Sequence, residues 1–395
     1  MDTLTHGIAG ALIGKAFFAE PGRTGQAARV ATLAATLGSI FPDSDVGAEL
    51  LSRNDLALLQ IHRNVTHSFV CLPIFAAALA ALTRWYARRR GWETPSWAAL
   101  TGIYAAGLAS HILLDLVTSF GTMIWSSLSY SRAAWDLVFI IDVALTGIVL
   151  LPQAAAWVYR KPEQSFPRAW CLWGLFTAAM LLLAWLARAV GFGFSPWTVA
   201  GVPVLLAALF FLPRWRGWGF RVPRSSWCRA GVYALVAYLG VCAIAHHAAR
   251  RQVEEFAASR HLRAERLGAL PLPPSAAHWD GLVRTPDGVW EARINVWDGL
   301  LAGRRSEQTA AFHFFADTAP NSYREAAEQL PEVRTFLWFA RFPVFRFRER
   351  GRQADIEVSD LRFFSRGRHP APFTFRVTFD TAGHVLSQGW VRAAQ

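Results

Sequence analysis

Long apolar runs broken by short polar or basic loops dominate the first two-thirds of the chain. Segments 69–83 (FVCLPIFAAALAALT), 137–151 (LVFIIDVALTGIVLL), 170–187 and 196–212 are nearly free of charge and end at charged residues or at Pro and Gly. The pattern predicts helices over residues 4–19, 28–42, 69–84, 97–118, 137–153, 169–190, 195–212 and 229–247. A membrane crossing takes about 20 residues. The first two helices are short for that and are expected to be tilted, partly re-entrant or packed inside the bundle.

Past residue 247 the pattern changes. Residues 248–264 read as an amphipathic helix leaving the membrane, and PLPP at 271–274 reads as a break. Segments 289–296, 309–315, 343–349, 354–359 and 372–379 alternate in the manner of strands, and 321–330 carries a helix start at Asn321 or Ser322 followed by Glu325. The expected fold is therefore mainly α. A polytopic membrane bundle of about eight hydrophobic helices (1–247) is followed by an amphipathic helix with a Pro-rich linker (248–274). A small α+β domain, mainly antiparallel sheet (275–395), then lies outside the membrane.

Three basic loops give an orientation. Segment 84–90 is RWYARRR, segment 160–168 holds Arg160, Lys161 and Arg168, and segment 213–229 holds Arg214, Arg216, Arg221, Arg224 and Arg229. Lys and Arg concentrate on the cytoplasmic side of membrane proteins. With eight crossings, segments 43–68, 119–136 and 191–194 and everything after about 247 then face outward. Arg250 and Arg251 stand against the last step.

Composition supports a membrane protein: of 395 residues 53% are hydrophobic and 17% charged, and several of the 18 Trp flank the apolar runs, as headgroup anchors do. The net charge of +12 belongs to the loops, where it serves topology and contact with anionic lipid, so no nucleic-acid partner is expected. Cys71, Cys171, Cys228 and Cys242 lie in or beside apolar stretches without metal-ligand spacing and require no disulfide framework. No basic stretch precedes the apolar run at the N-terminus, so a cleaved signal peptide is not expected.

The polar residues of the apolar half are clustered. Asp2 and His6 open the first helix, and Asp43 and Asp45 end the second in FPDSD. His62 and His67 precede the third in HRNVTHS, His111 and Asp115 close the fourth in HILLD, and Asp136 and Asp142 flank the start of the fifth. Under the orientation above all of them share one membrane face. His111 and Asp115, four apart on a helix, can point at one ion, and the set supplies the N and O donors preferred by a divalent metal, zinc first and manganese second. Taken singly, each has a plainer reading. His111 and Asp115 form a helix–helix hydrogen-bonded pair, His6 is interfacial, and His62 and His67 are loop residues against headgroups. Asp45 and Asp142 also read as groups that orient imidazoles. Arg63 and Arg132 stand beside the site, suited to hold an anion in a bidentate contact or to sit at the interface. The isolated His278, His313, His369 and His384 read as surface or structural residues.

The strings MDTLTHGIAGALIG, FPDSD, HRNVTHS, HILLD and RAAWDLVFIID, in that order over residues 1–142, resemble the membrane-bound metal-dependent hydrolase family, also called YdjM-like. That family is read as hydrolytic by its similarity to zinc-dependent phospholipase C and nuclease-like enzymes. The resemblance implies His6, Asp43, His62, His67, His111 and Asp115 as principal site residues, with Asp2, Asp136 and Asp142 as further members. It is strongest over the first 150 residues.

The leading expectation is thus a divalent-metal-dependent hydrolase in a bacterial cytoplasmic (inner) membrane, acting on a phosphoester of a lipid or lipid-linked substrate. Asp45 or Asp136 orients the water or takes its proton, and Arg132 steadies the charge developing on oxygen. Membrane lipids are the expected partners. The alternatives are a transporter holding the ion in transit and a structural or regulatory protein stapled by its metal.

Overall fold

A computed structural model describes residues 1–19, 25–52, 56–189, 195–297, 311–363 and 373–391. The loop 191–194 and residues 309–310 of one expected strand lie outside them, as does His369. The membrane half contains α1 (Thr3–Ile13), α2 (Gly25–Ile40), α3 (Asp45–Leu51), α4 (Ala57–Gln60), α5 (Leu72–Arg90), α6 (Trp97–Leu116), α7 (Val143–Val158), α8 (Pro162–Ala189), α9 (Pro196–Phe211), α10 (Trp218–Arg221) and α11 (Arg224–Ser259). Each of the eight expected helices has a counterpart here.

Caps in the sequence set several of the starts. Asp2 accepts from the Thr5 amide at 2.9 Å, Ser96 from Ala99 at 3.2 Å and Asp142 from Leu145 at 3.0 Å, each satisfying a donor that the first helical turn leaves open.

α1, α2 and α6 form the centre of the bundle, and they touch backbone to backbone because glycine stands at the crossings. A Cβ on Gly10 would lie 2.7 Å from the Ala35 carbonyl oxygen, and one on Gly107 would lie 2.5 Å from the same oxygen and 3.0 Å from the Ser39 nitrogen. In lipid, where apolar surface gains little by meeting apolar surface, close approach of this kind drives helix association.

The number of crossings differs from the expectation. Among the described residues four helical segments are long and apolar enough to span: Trp97–Leu116, Pro162–Ala189, Pro196–Arg221 and Arg224–Ser259. A fifth is added if Ala57–His67 and Leu72–Arg90, bent by 72°, act as one. α2 and α7 have 16 residues each, which at 1.5 Å per residue is about 24 Å against a hydrocarbon core of about 30 Å. The apolar character of α1 and α2 serves contact with other helices.

α11 also runs past its expected end. Its 36 residues form one helix of about 54 Å that continues through position 247. Residues 266–272, expected as linker, are the edge strand β1 (Arg266–Leu272), where Pro271 is tolerated. β2 (His278–Thr285), β3 (Gly288–Asn295) and β4 (His313–Ala316) complete an antiparallel sheet in order β1-β2-β3-β4. β5 (Pro343–Arg350), β6 (Gln353–Asp360), β7 (Thr374–Asp380) and β8 (Val385–Trp390) make a second, again in sequence order. The first sheet buries Trp279, Val283 and Ile294 against Ala249, Val253 and Phe256 of α11. The second, with the helix Pro331–Phe339, buries Phe345, Ile356 and Phe375 in one core with Leu56, Leu59 and Phe120 of the membrane half. The C-terminal domain is thereby seated on the loops that follow α3 and α6.

Gly107→Leu should lower the thermal midpoint of the detergent-solubilised protein strongly, because the first atom added meets backbone. Gly102→Ala, on the same helix with open space around it, should change it little. Equal midpoints for the two variants would remove the close crossing as the organising contact.

Candidate metal centre

Pro42, near the start of the 3-10 turn Phe41–Ser44, ends α2 and presents Asp43 and Asp45 to different partners. Asp45 receives a nitrogen of each of two imidazoles: His62 Nδ1 lies 3.0 Å from its Oδ1 and His67 Nδ1 lies 3.3 Å from its Oδ2. The Arg63 amide and the Thr66 hydroxyl also donate to Oδ2, at 3.0 and 3.1 Å. Burial works against ionisation of this carboxyl, but the hydrogen bonds from His62 and His67 outweigh it and hold Asp45 well below the usual carboxylate range. Arg63 adopts a left-handed backbone with φ of 61°, which this amide contact and the Met123 amide on its carbonyl, at 3.0 Å, hold in place.

The other face of His67 meets α6. His67 Nε2 and His111 Nε2 are 3.0 Å apart, and Asp115 Oδ2 lies 3.2 Å from the first and 3.5 Å from the second. Asp43 Oδ1 is 3.4 Å from His111 Nε2 and 3.8 Å from His67 Nε2. One ligand atom from each of Asp43, His67, His111 and Asp115 lies within 4.8 Å of the other three.

The protonation of the rings decides what this group can hold. His111 Nδ1 sits 2.7 Å from the Ser39 carbonyl oxygen, a contact that only an N–H makes favourable, so Nε2 presents its lone pair. His67 Nδ1 faces the Asp45 carboxylate and the Thr66 hydroxyl at 3.0 Å, which leaves its Nε2 in the same state. In the neutral tautomers that these contacts suit, two imidazole lone pairs and two carboxylate oxygens converge, and Asp115 Oδ2 is buried without a hydrogen-bond partner. Such a group is satisfied by protons on its imidazoles or by a metal ion, and its ligand atoms are close enough for one ion. An N2O2 set with imidazoles oriented by a carbonyl and a carboxylate fits zinc or a similar divalent metal.

Asp115 divides its charge between two environments. Its Oδ1 pairs with Arg63 Nη2 at 2.9 Å, with His6 Nε2 at 3.2 Å and with the Met1 amino group. The His6 ring stacks on that of His111, with centroids 3.6 Å apart. His6 thus borders the four-residue group, and His62 stands on the far side of Asp45.

The remaining candidates are placed elsewhere. Arg132 donates to three backbone carbonyls, of Gly121 (2.8 Å), Leu59 (2.8 Å) and His62 (2.9 Å). Burial, then the neighbouring Arg63 and Arg362, pull its guanidinium down to about 9. Asp136 is bound in bidentate fashion by Arg341 of the C-terminal domain, at 3.1 and 2.7 Å. Asp2 and Asp142 are helix caps, and Asp142 also accepts from Tyr238 at 2.7 Å and from Ser275. The Ser39 carbonyl has no sequence signal, since any residue supplies one. Arg63 does have one, because a buried Asp115 demands a nearby cation and HRNVTHS contains it.

Metal retained by purified protein, titrated against a competing chelator, should be lost in His111→Ala and Asp43→Asn. In Asp45→Asn, which removes no ligand of the group but disturbs the orientation of His67 and His62, affinity should fall about 10–100-fold. Folded wild-type protein that takes up neither zinc nor manganese would overturn the centre.

Residues 1–191 match the family model of the YdjM inner membrane protein, a region that contains all four clustered ligands and stops short of the two-sheet domain. No curated protein and no solved structure matches the chain. The match supports a YdjM-like assignment for the N-terminal 191 residues, just under half of the 395-residue chain.

Proposed function

We propose that this is a membrane-embedded, divalent-metal-dependent hydrolase of a phosphoester in a lipid or lipid-linked substrate, working at the outer face of a bacterial cytoplasmic membrane. The observation that carries the reading is the convergence of ligand atoms of His67, His111, Asp43 and Asp115 within 4.8 Å of one another. A divalent cation held by these four would supply Lewis acidity, polarising a phosphoryl oxygen and making water a better nucleophile at neutral pH.

The chain's own residues divide the rest of the work. His62, paired to Asp45 at 3.0 Å and partly open to solvent, moves the proton, and Asp45 orients its ring. Arg63 balances the charge of Asp115 from the side away from the ligands. Arg132 and Asp136, engaged with carbonyls and with Arg341, support the surrounding loops instead of touching substrate.

Access favours an amphiphile. His67, His111 and Asp115 are fully buried, and Asp43, which accepts from Thr3 at 2.5 Å, is the ligand that reaches the surface. Leu4, next to Thr3 in the chain, Leu51 of α3 and Val65, two residues before His67, are 71%, 87% and 45% exposed, so the segments around the ligands carry apolar surface. Charge supports the outer face. Arg88, Arg89 and Arg90 end α5 far from its ligand-side start, and Arg229 donates to the Ala16 carbonyl beyond the end of α1 remote from His6.

The four-ligand, largely buried character of the site also favours a second reading, a structural metal that staples the turn after α2, the 62–67 segment and α6. Activity separates the two. Metal-loaded protein in phospholipid vesicles should release a phosphoester product, chelator should abolish release, and His62→Ala should lower the rate about 10²–10⁴-fold while metal content stays unchanged. Full metal occupancy without hydrolysis across a panel of phosphoester lipids and soluble phosphoesters would leave the structural reading. For sidedness, alkaline phosphatase fused after the sheet domain should be active in cells. Activity of a cytoplasm-only reporter at that position would reverse the orientation.

A further inference from the structure

We infer that the two-sheet domain is a positioning element of the metal centre, acting through Arg132, Phe339 and Arg362. The inference rests on the metal-centre reading and extends it to a part of the chain beyond the region matched by the family model.

Two stretches must keep a fixed separation for the four ligands to meet. One carries Asp43 and His67, the other is the end of α6 with His111 and Asp115. Arg132 ties the loops that follow and precede them: its Nη1 holds the Gly121 carbonyl, six residues after Asp115, and its Nη2 holds those of Leu59 and His62, just before Arg63. A planar guanidinium bridges three such points in one fixed geometry, which an ammonium cannot do.

The C-terminal domain supplies much of the cover for this strut. The Arg132 guanidinium lies 5.3 Å from the Phe339 ring and 5.5 Å from Trp338, with Phe120 of the membrane half at 5.2 Å. Aromatic faces and carbonyl dipoles are what make a buried cation tolerable there.

Arg362 locks the arrangement from behind. Paired with Asp360 at 2.7 Å, it donates to the Phe339 carbonyl at 2.7 Å and to the Ser119 carbonyl at 3.0 Å, joining the helix that carries Phe339 to the backbone just past α6. Arg341 on Asp136 secures the far end of the same loop. A domain attached only for bulk would bury apolar area. Here polar contacts fall on the backbone that spaces the ligands.

The test uses the full-length chain with cobalt(II) as the probe metal. It reads the visible absorption of the bound ion, its affinity by chelator competition and the thermal midpoint. Wild type should bind cobalt with a spectrum of nitrogen and oxygen ligation. Phe339→Ala and Arg362→Gln should weaken binding at least about 10-fold and shift the spectrum. Arg132→Lys should do the same, while Arg376→Gln, which breaks an ion pair with Glu357 on the same sheet, should leave affinity and spectrum alone. If Arg362→Gln does not fold, Phe339→Leu takes its place. Wild-type affinity and spectrum in folded Phe339→Ala and Arg362→Gln would overturn the inference and leave the metal centre standing. Absence of cobalt binding by folded wild type would overturn both.

Discussion

Asp115 is a fully buried carboxylate at the end of a helix long and apolar enough to span a membrane, and much of the surrounding structure answers its charge. An isolated ion in such a place costs several kcal/mol even after relaxation. One oxygen is met by Arg63, His6 and the Met1 amino group, and the other is left facing His67 and His111. The first set comes from α1 and the loop before α5, the second from that loop and from α6 itself. Neutralising this single group therefore gathers chain segments separated by more than a hundred positions, and it leaves an oxygen free for a cation.

Such convergence needs helices closer than ordinary side chains allow. Gly10 and Gly107 let α1, α2 and α6 meet at backbone distance, which brings the Ser39 carbonyl onto His111 and aims Asp43 at the same ring. The bundle thus divides its labour. Short helices, closely packed, build the polar site, while α8, Pro196–Arg221 and the first part of α11 supply length and apolar surface for the bilayer. α11 then continues past its apolar stretch and becomes the packing surface for the first sheet, so the C-terminal domain is joined to the bundle by one continuous helix. The second sheet reaches back to the site through Phe120 and the arginines around it.

The sequence by itself determined where the helices lie, that the chain belongs to a membrane, and which residue types gather at one face. Apolar runs, caps such as Asp2 and Ser96, and basic loops are local signals, legible without neighbours. Asp43, His67, His111 and Asp115 were candidates through the clustering of their strings and the family resemblance those strings carry; helical spacing put His111 and Asp115 on one side of α6 and left open whether they meet an ion or pair with another helix. The alternation of strands in the last third was equally legible, because side chains change face at every residue.

Tertiary structure decided what depended on partners distant in sequence. Whether an apolar run meets lipid or another helix is not written in its hydropathy, so the short α1 and α2 stay open between tilted spans and packed helices, and α7 counts as a span, until their neighbours are known. The split between Asp43, which faces the ligand group, and Asp45, which orients His62 and His67, arises because the 3-10 turn around Pro42 rotates the chain about 120° per residue, so residues two apart face different ways. Arg132 and Asp136 carry charges suited to chemistry, yet their partners turned out to be carbonyls and Arg341, both distant along the chain. Composition names the charges present, and only packing says which of them are already answered.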